Sequence, residues 1–167
     1  MKSQSLELKI GNILAERGQK VVFAKSCTGV LIGHRITNIP GSSEYYLGSI
    51  TAYAYEAKVQ WLDVSWDTLE AHGAVSREVV LEMAQGVRKA LKADIGLSVS
   101  GIAGPGGGMV EKPVGTTWVG LATSEGTWAR HFCWDGDRIQ NKADSADAVL
   151  QMLLDYLQGE RDLDKPE

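Results

Sequence analysis

Apolar positions recur along this chain with two alternating periods. Leu6, Leu8, Ile10, Ile13 and Leu14 share one face of a helix that Gly18 closes, and residues 21–24 follow as a short continuous apolar strand. A second helix over residues 30–36 stops before Pro40 and Gly41, because proline has no N–H to continue it. Residues 48–53 read as a strand and residues 56–62 as a short helix directly after it, with Asp67 the expected cap of the next helix. Ser76 opens the most regular helix, which carries Val79, Val80, Met83, Ala84, Val87, Ala90 and Leu91 on one stripe and Glu78 in the first turn. Residues 94–100 form a buried strand, and residues 115–123 and 127–134 form an antiparallel pair around Ser124-Glu125-Gly126. Ala143, Ala146, Val149, Leu150, Leu153, Leu154 and Leu157 mark a closing helix, and the charged tail 159–167 is expected to fray.

Helices alternating with strands, and one late hairpin, predict an α/β fold with a mixed sheet covered on both faces. With 167 residues and 44% hydrophobic side chains, the chain suits one domain over 1–167, its core spanning about 6–157. A net charge of −4 leaves no basic stripe for a phosphate backbone, so general nucleic acid binding is not expected. Cys27 and Cys133 stand far apart with no metal-ligand spacing, which fits reduced thiols and argues against a disulfide framework or a metal site. The amphipathic start is unlike a secretory leader, and no apolar run reaches the roughly 20 residues of a membrane span. The expectation is a soluble, cytoplasmic protein without metal or cofactor. Trp66, Trp128 and Trp134, read as exposed aromatics, favour a homodimer.

In such sheets, sites gather in loops beyond strand ends, here residues 25–29, 53–58 and 101–115. The third loop concentrates Gly101, Gly104, Gly106, Gly107 and Gly108, which let backbone N–H groups approach a phosphate, carboxylate or oxyanion. It lacks both the Gly-Lys-Ser/Thr of a nucleotide P-loop and the Gly-x-Gly-x-x-Gly spacing of a dinucleotide fingerprint. Against the reading of a plain flexible connection stands Lys112, a charge held between Glu111 and Pro113. In the first loop Ser26 lies beside Cys27, Thr28 and Gly29, whose amides could receive an oxyanion. Ser26 or Thr28 could equally cap the helix that follows. In the second loop Lys58 sits among Tyr53, Tyr55, Trp61 and Leu62, an apolar setting that would lower an amine's pKa. A neutral lysine can take a serine's proton, whereas a solvated lysine would be a surface group only. Cys27 has no histidine close in sequence and is expected to be a small buried thiol.

Taken in order, "SCTG", "PGSS", "EAK", "HGAVS", "GIAGPGGG", "EKPVGT" and "GDR" resemble the C-terminal domain of the competence/damage-inducible protein CinA, over about residues 6–157. That family includes stand-alone nicotinamide-nucleotide amidases. The resemblance implies a three-layer α/β/α sandwich with a mixed, mostly parallel sheet. It also implies hydrolysis of the carboxamide of nicotinamide mononucleotide to nicotinate mononucleotide and ammonia. On this resemblance Ser26 is the nucleophile, Lys58 its activator and Tyr53 a relay or orienting group. The substrate, a small pyridine nucleotide, would be held by residues 101–108. Cys27, Thr28, Gly29 and Lys112 complete the expected substrate contacts. Three positions depart from the family pattern: Lys25 stands for glutamate, Val30 for glycine and Tyr55 for asparagine. Clustered at the expected site, these departures also fit a paralogue that binds a nucleotide or a protein and has changed substrate or lost catalysis.

Overall fold

The computed structural model describes residues 4–164. Its elements are α1 Leu6–Arg17, β1 Val21–Lys25, α2 Leu31–Thr37, β2 Tyr46–Thr51, α3 Tyr55–Leu62 and α4 Trp66–His72, followed by α5 Arg77–Leu91, β3 Ile95–Gly101, β4 Thr116–Ala122, β5 Thr127–Cys133 and α6 Arg138–Leu157. The helices start where short polar side chains take up otherwise unpaired N–H groups. Ser5, Ser65, Ser76 and Asp137 accept from Leu8, Asp67, Val79 and Gln140 respectively. Gly18, at a φ of 63°, closes α1 in the left-handed region that glycine enters without strain.

The five strands lie in the order β2-β1-β3-β4-β5. β1 pairs parallel to β2 and β3, while β4 runs antiparallel to β3 and β5, so four strands share one direction. Alternation along the strands sorts the core into two layers. Val21, Phe23, Ile95, Leu97, Val99, Val119 and Leu121 pack with α1, α2 and α6, while Val22 and Ala24 pack with α3, α4 and α5. This is the α/β/α sandwich that the resemblance implied.

Helix α5 approaches the sheet closely because β3 and β4 present Gly96, Ser98 and Gly120 to it, and a Cβ on either glycine would meet the α5 backbone. The Ser98 hydroxyl donates to the Val80 carbonyl at 2.5 Å. Gly86 of α5 abuts the last turn of α3 in the same way, against the Leu62 carbonyl. Removing side chains at these contacts seats α5, and through it α3, deep on the sheet.

Four expectations are corrected. Helix α4 is capped by Ser65 and not by Asp67, which lies in its first turn. Helix α6 begins at Arg138, a turn and more before its apolar stripe, because Asp137 caps it there. The tail is held as far as Asp164: Leu163 is fully buried, the Arg130 guanidinium donates to its carbonyl, and the Ala129 N–H donates to the Asp164 carboxylate. The remaining tail, residues 165–167, lies outside the described residues. Trp128 and Trp134 are half-buried, packed on Tyr156 and Phe132, so Trp61 and Trp66 are the exposed indoles. Among the described residues no helix is long and apolar enough to cross a membrane.

Candidate active site

The parallel strands β2, β1 and β3 all end at one edge of the sheet, and the three glycine-, serine- and lysine-bearing loops leave from those ends. After β1 the chain turns through residues 26–30, with the Gly29 N–H donating to the Ser26 carbonyl and Gly29 at a φ of 61°. Helix α2 then starts at Leu31, with Val30 at its N-cap and no side-chain cap hydrogen bond. Neither Ser26 nor Thr28 is therefore the helix cap that the sequence left open. The Thr28 hydroxyl is buried without a hydrogen-bond partner.

Lys58 lies in α3 and is fully buried. Its amine reaches Ser26 Oγ at 3.3 Å, the Ala52 carbonyl at 2.8 Å and the Tyr53 carbonyl at 3.0 Å. Burial lowers its pKa to about 8. A neutral –NH₂ has two hydrogens and one lone pair. With the hydrogens directed to the two carbonyls, the lone pair is left for the Ser26 hydroxyl. Cys27, one residue on, is different: burial pushes its thiol up to about 11, so it stays protonated near neutrality. Its sulfur packs where a Cβ on Gly101 would stand.

The other expected residues fall in different places. Tyr53 contributes its carbonyl to Lys58, while its exposed side chain places the hydroxyl 3.5 Å from the Arg138 guanidinium. Lys112 is committed to the His72 carbonyl and stands beside Gly73, not beside Ser26. In the glycine-rich loop, Gly101 and Gly108 pack tightly on Thr117 and Val114, while Gly106 faces open space. The N–H groups of Gly104, Gly106, Gly107 and Gly108 make no hydrogen bond among the described residues.

Two of the three departures point away from the Ser26–Lys58 pair. The Tyr55 hydroxyl accepts from the Ala74 N–H at 3.2 Å, and its ring packs on Trp66. The Lys25 amine, buried and with its pKa lowered by that burial, lies against Gly33 of α2, on the sheet face opposite α3. Val30 is 70% exposed beside the turn.

Arg138 entered the sequence reading only as part of "GDR", without a role, and Asn141 was not singled out at all. Arg138 donates to the Gly104 carbonyl at 2.6 Å and Asn141 to the Ala103 carbonyl at 3.1 Å, so the start of α6 ties down the glycine-rich loop. A signal was present: a cation in the first turn of a helix opposes the helix dipole and calls for a local reason.

The fold and the position of this site define an α/β/α protein whose functional loops leave the carboxyl ends of parallel strands. Comparison with known proteins narrows that class. The family model for the CinA C-terminal domain matches residues 3–157, and the chain belongs to this family. CinA-like proteins of Salinibacter ruber and Chlorobaculum tepidum are each 48% identical to it, over 147 and 155 residues. These matches cover 88% and 90% of this chain but 36% and 37% of the relatives, so the chain spans little more than a third of their length. The crystal structure of the competence damage-inducible protein A of Klebsiella pneumoniae matches with a TM-score of 0.89 at 31% identity, covering 93% of this chain and 97% of that one. That of the competence/damage inducible protein CihA of Agrobacterium tumefaciens matches with a TM-score of 0.85 at 34% identity, covering 95% and 98%.

Proposed function

We propose that this protein hydrolyses the carboxamide of nicotinamide mononucleotide, giving nicotinate mononucleotide and ammonia, with Ser26 as nucleophile and Lys58 as its base. The observation that carries this reading is the Lys58 amine, buried, two-thirds satisfied by backbone carbonyls and facing a serine hydroxyl that has no capping duty.

Ser26 Oγ attacks the carboxamide carbon as its proton passes to Lys58 Nζ. The resulting lysine ammonium gives that proton to the leaving nitrogen, and ammonia departs from the tetrahedral intermediate to leave an ester on Ser26. Water then attacks the ester with Lys58 again as base, and the carboxylate leaves as Ser26 recovers its proton. The free N–H groups of the glycine-rich loop and the unused donors of Arg138 supply hydrogen bonds for the substrate phosphate. Tyr53 acts chiefly through its carbonyl, which orients the Lys58 amine. Lys25 and Tyr55 are turned away from Ser26, which supports a working site over a disabled one.

The test is ammonia release from nicotinamide mononucleotide, with ligand-induced change in melting temperature read in parallel. Release that is lost in Ser26→Ala supports the amidase. A rise in melting temperature without release would instead favour a paralogue that only binds the nucleotide.

A further inference from the structure

Lys25, the last residue of β1, is only 3% exposed, and among the described residues its amine makes no hydrogen bond or ion pair. Burial alone lowers its pKa, with no carboxylate or second cation acting on it. The neighbouring edge strand β2 brings two hydroxyls to the same place, those of Tyr46 and Ser49, hydrogen-bonded to each other at 2.6 Å. All three polar atoms converge on Gly33 of α2: a Cβ there would stand 2.7 Å from Tyr46 Oη, 3.2 Å from Lys25 Nζ and 3.6 Å from Ser49 Oγ. Tyr46 and Ser49 are half-buried, so the cluster lies just under the surface at the outer side of the sheet. It is rich in donors and poor in acceptors. An ammonium has three donors and no acceptor, and each hydroxyl adds one donor. One hydroxyl proton is used between Tyr46 and Ser49, which leaves the other, together with the amine hydrogens, without an acceptor. A neutral amine fares no better, since neither hydroxyl donates to its lone pair. Buried donors left in this state are costly.

We infer that Lys25, Tyr46 and Ser49 form a binding site for one small monovalent anion of the size of chloride. The ion accepts from the Lys25 ammonium and from the free hydroxyl, and it supplies the counter-charge that no side chain provides. It is small because the cluster is closely packed, with Tyr46 Oη already seated on Gly33. Bound there, it joins β1, β2 and α2 at the outer side of the sheet, one residue before Ser26. The inference is independent of the amidase reading, since it concerns the sheet face opposite α3 and Lys58.

The test follows thermal unfolding near neutral pH at constant ionic strength while sodium gluconate is replaced stepwise by sodium chloride. Gluconate screens charge equally well and is too bulky for the cluster. Chloride should raise the midpoint of the native chain along a saturating curve, by about 3–5 °C at roughly ten times its dissociation constant. Lys25→Met, the more stable chain in gluconate, should not respond, so the gap between the two narrows as chloride is added. Tyr46→Phe combined with Ser49→Ala keeps the lysine and removes both hydroxyls, and should weaken chloride binding by about tenfold. In crystals soaked in sodium bromide, an anomalous peak should lie against Lys25 Nζ and the Tyr46–Ser49 pair. A native chain that does not respond to chloride overturns the inference, as does an equal response in Lys25→Met, an affinity that the loss of both hydroxyls leaves unmoved, or a bromide-soaked crystal with no peak at Lys25. Should Lys25→Met fail to fold, the double variant and the bromide peak decide the matter alone.

Discussion

The Lys58 amine lies 3.3 Å from the Ser26 hydroxyl, with its other two partners, the carbonyls of Ala52 and Tyr53, on the loop between β2 and α3. In the proposed amidase the pair acts as one unit, since a base without its nucleophile has nothing to deprotonate. Ser26→Ala and Lys58→Ala each lower kcat by about 10³-fold or more, and the double variant is little worse than either single one. Additive losses would show two independent roles.

The depressed pKa of Lys58 fixes the pH profile. The proposed mechanism needs the neutral amine, so kcat/KM is expected to rise with pH and level off above about 8. The stability consequence has the opposite sense to a stabilising ion pair. Between about 8 and the unperturbed value of 10.5 the unfolded chain binds a proton at this lysine that the folded chain does not, so this group favours the fold increasingly as pH rises through that window. Urea melts of the native chain and Lys58→Met should therefore diverge in the native chain's favour from pH 8 to 10.5. A constant difference would mean the lysine is not desolvated.

Lys25 is a buried amine with no hydrogen bond or ion pair among the described residues, next to Gly33 and the hydrogen-bonded Tyr46 and Ser49 hydroxyls. Replacing an uncompensated buried charge by an apolar chain of similar length is favourable. Lys25→Met should raise stability by about 1 kcal/mol or more near neutral pH, read as a higher urea midpoint at unchanged slope.

Gly86→Ala separates helix propensity from packing. In an exposed helix the change is worth roughly 1 kcal/mol of stability, but here the new methyl would overlap the Leu62 carbonyl at the end of α3. The expected outcome is net destabilisation together with a lower kcat, because α3 carries Lys58. Activity kept at the native level in a folded variant would show that the position of α3 is set elsewhere.

Leu163→Ala tests the tail. The side chain is fully buried beside Arg130, which is also paired with Asp155 at 2.7 Å. A loss of about 2 kcal/mol or more is expected from thermal or urea unfolding, whereas a frayed tail would give none.

Most of the fold was legible because it is written in local periods: the stripe of α5, the apolar runs of β1 and β3, and the turn between β4 and β5 depend on near neighbours. The start of α6 was not, since Arg138, Ile139 and Gln140 carry no apolar stripe and only Asp137 signals the cap. The tail was misread for the same reason: one leucine among charges looks solvated until β5 offers it a seat. At the site, Ser26 and Lys58 were paired on their chemistry and on the family resemblance and not on any local period, because they stand 32 positions apart and only the fold brings them together. Tyr53 was noted for its ring, while the structure employs its carbonyl, a group that every residue has and no sequence can single out.

The held tail also decides how this protein would fail under proteolysis. β5 is an outer strand, and one of its edge N–H groups, that of Ala129, is covered by Asp164. A cut after Arg161 would release Leu163 and Asp164 together and leave Ala129 unsatisfied at an open edge. Such an edge recruits other strands. A preparation nicked at that one bond would then lose material to strand-paired aggregates while the loops that carry Ser26 and Lys58 remained chemically whole.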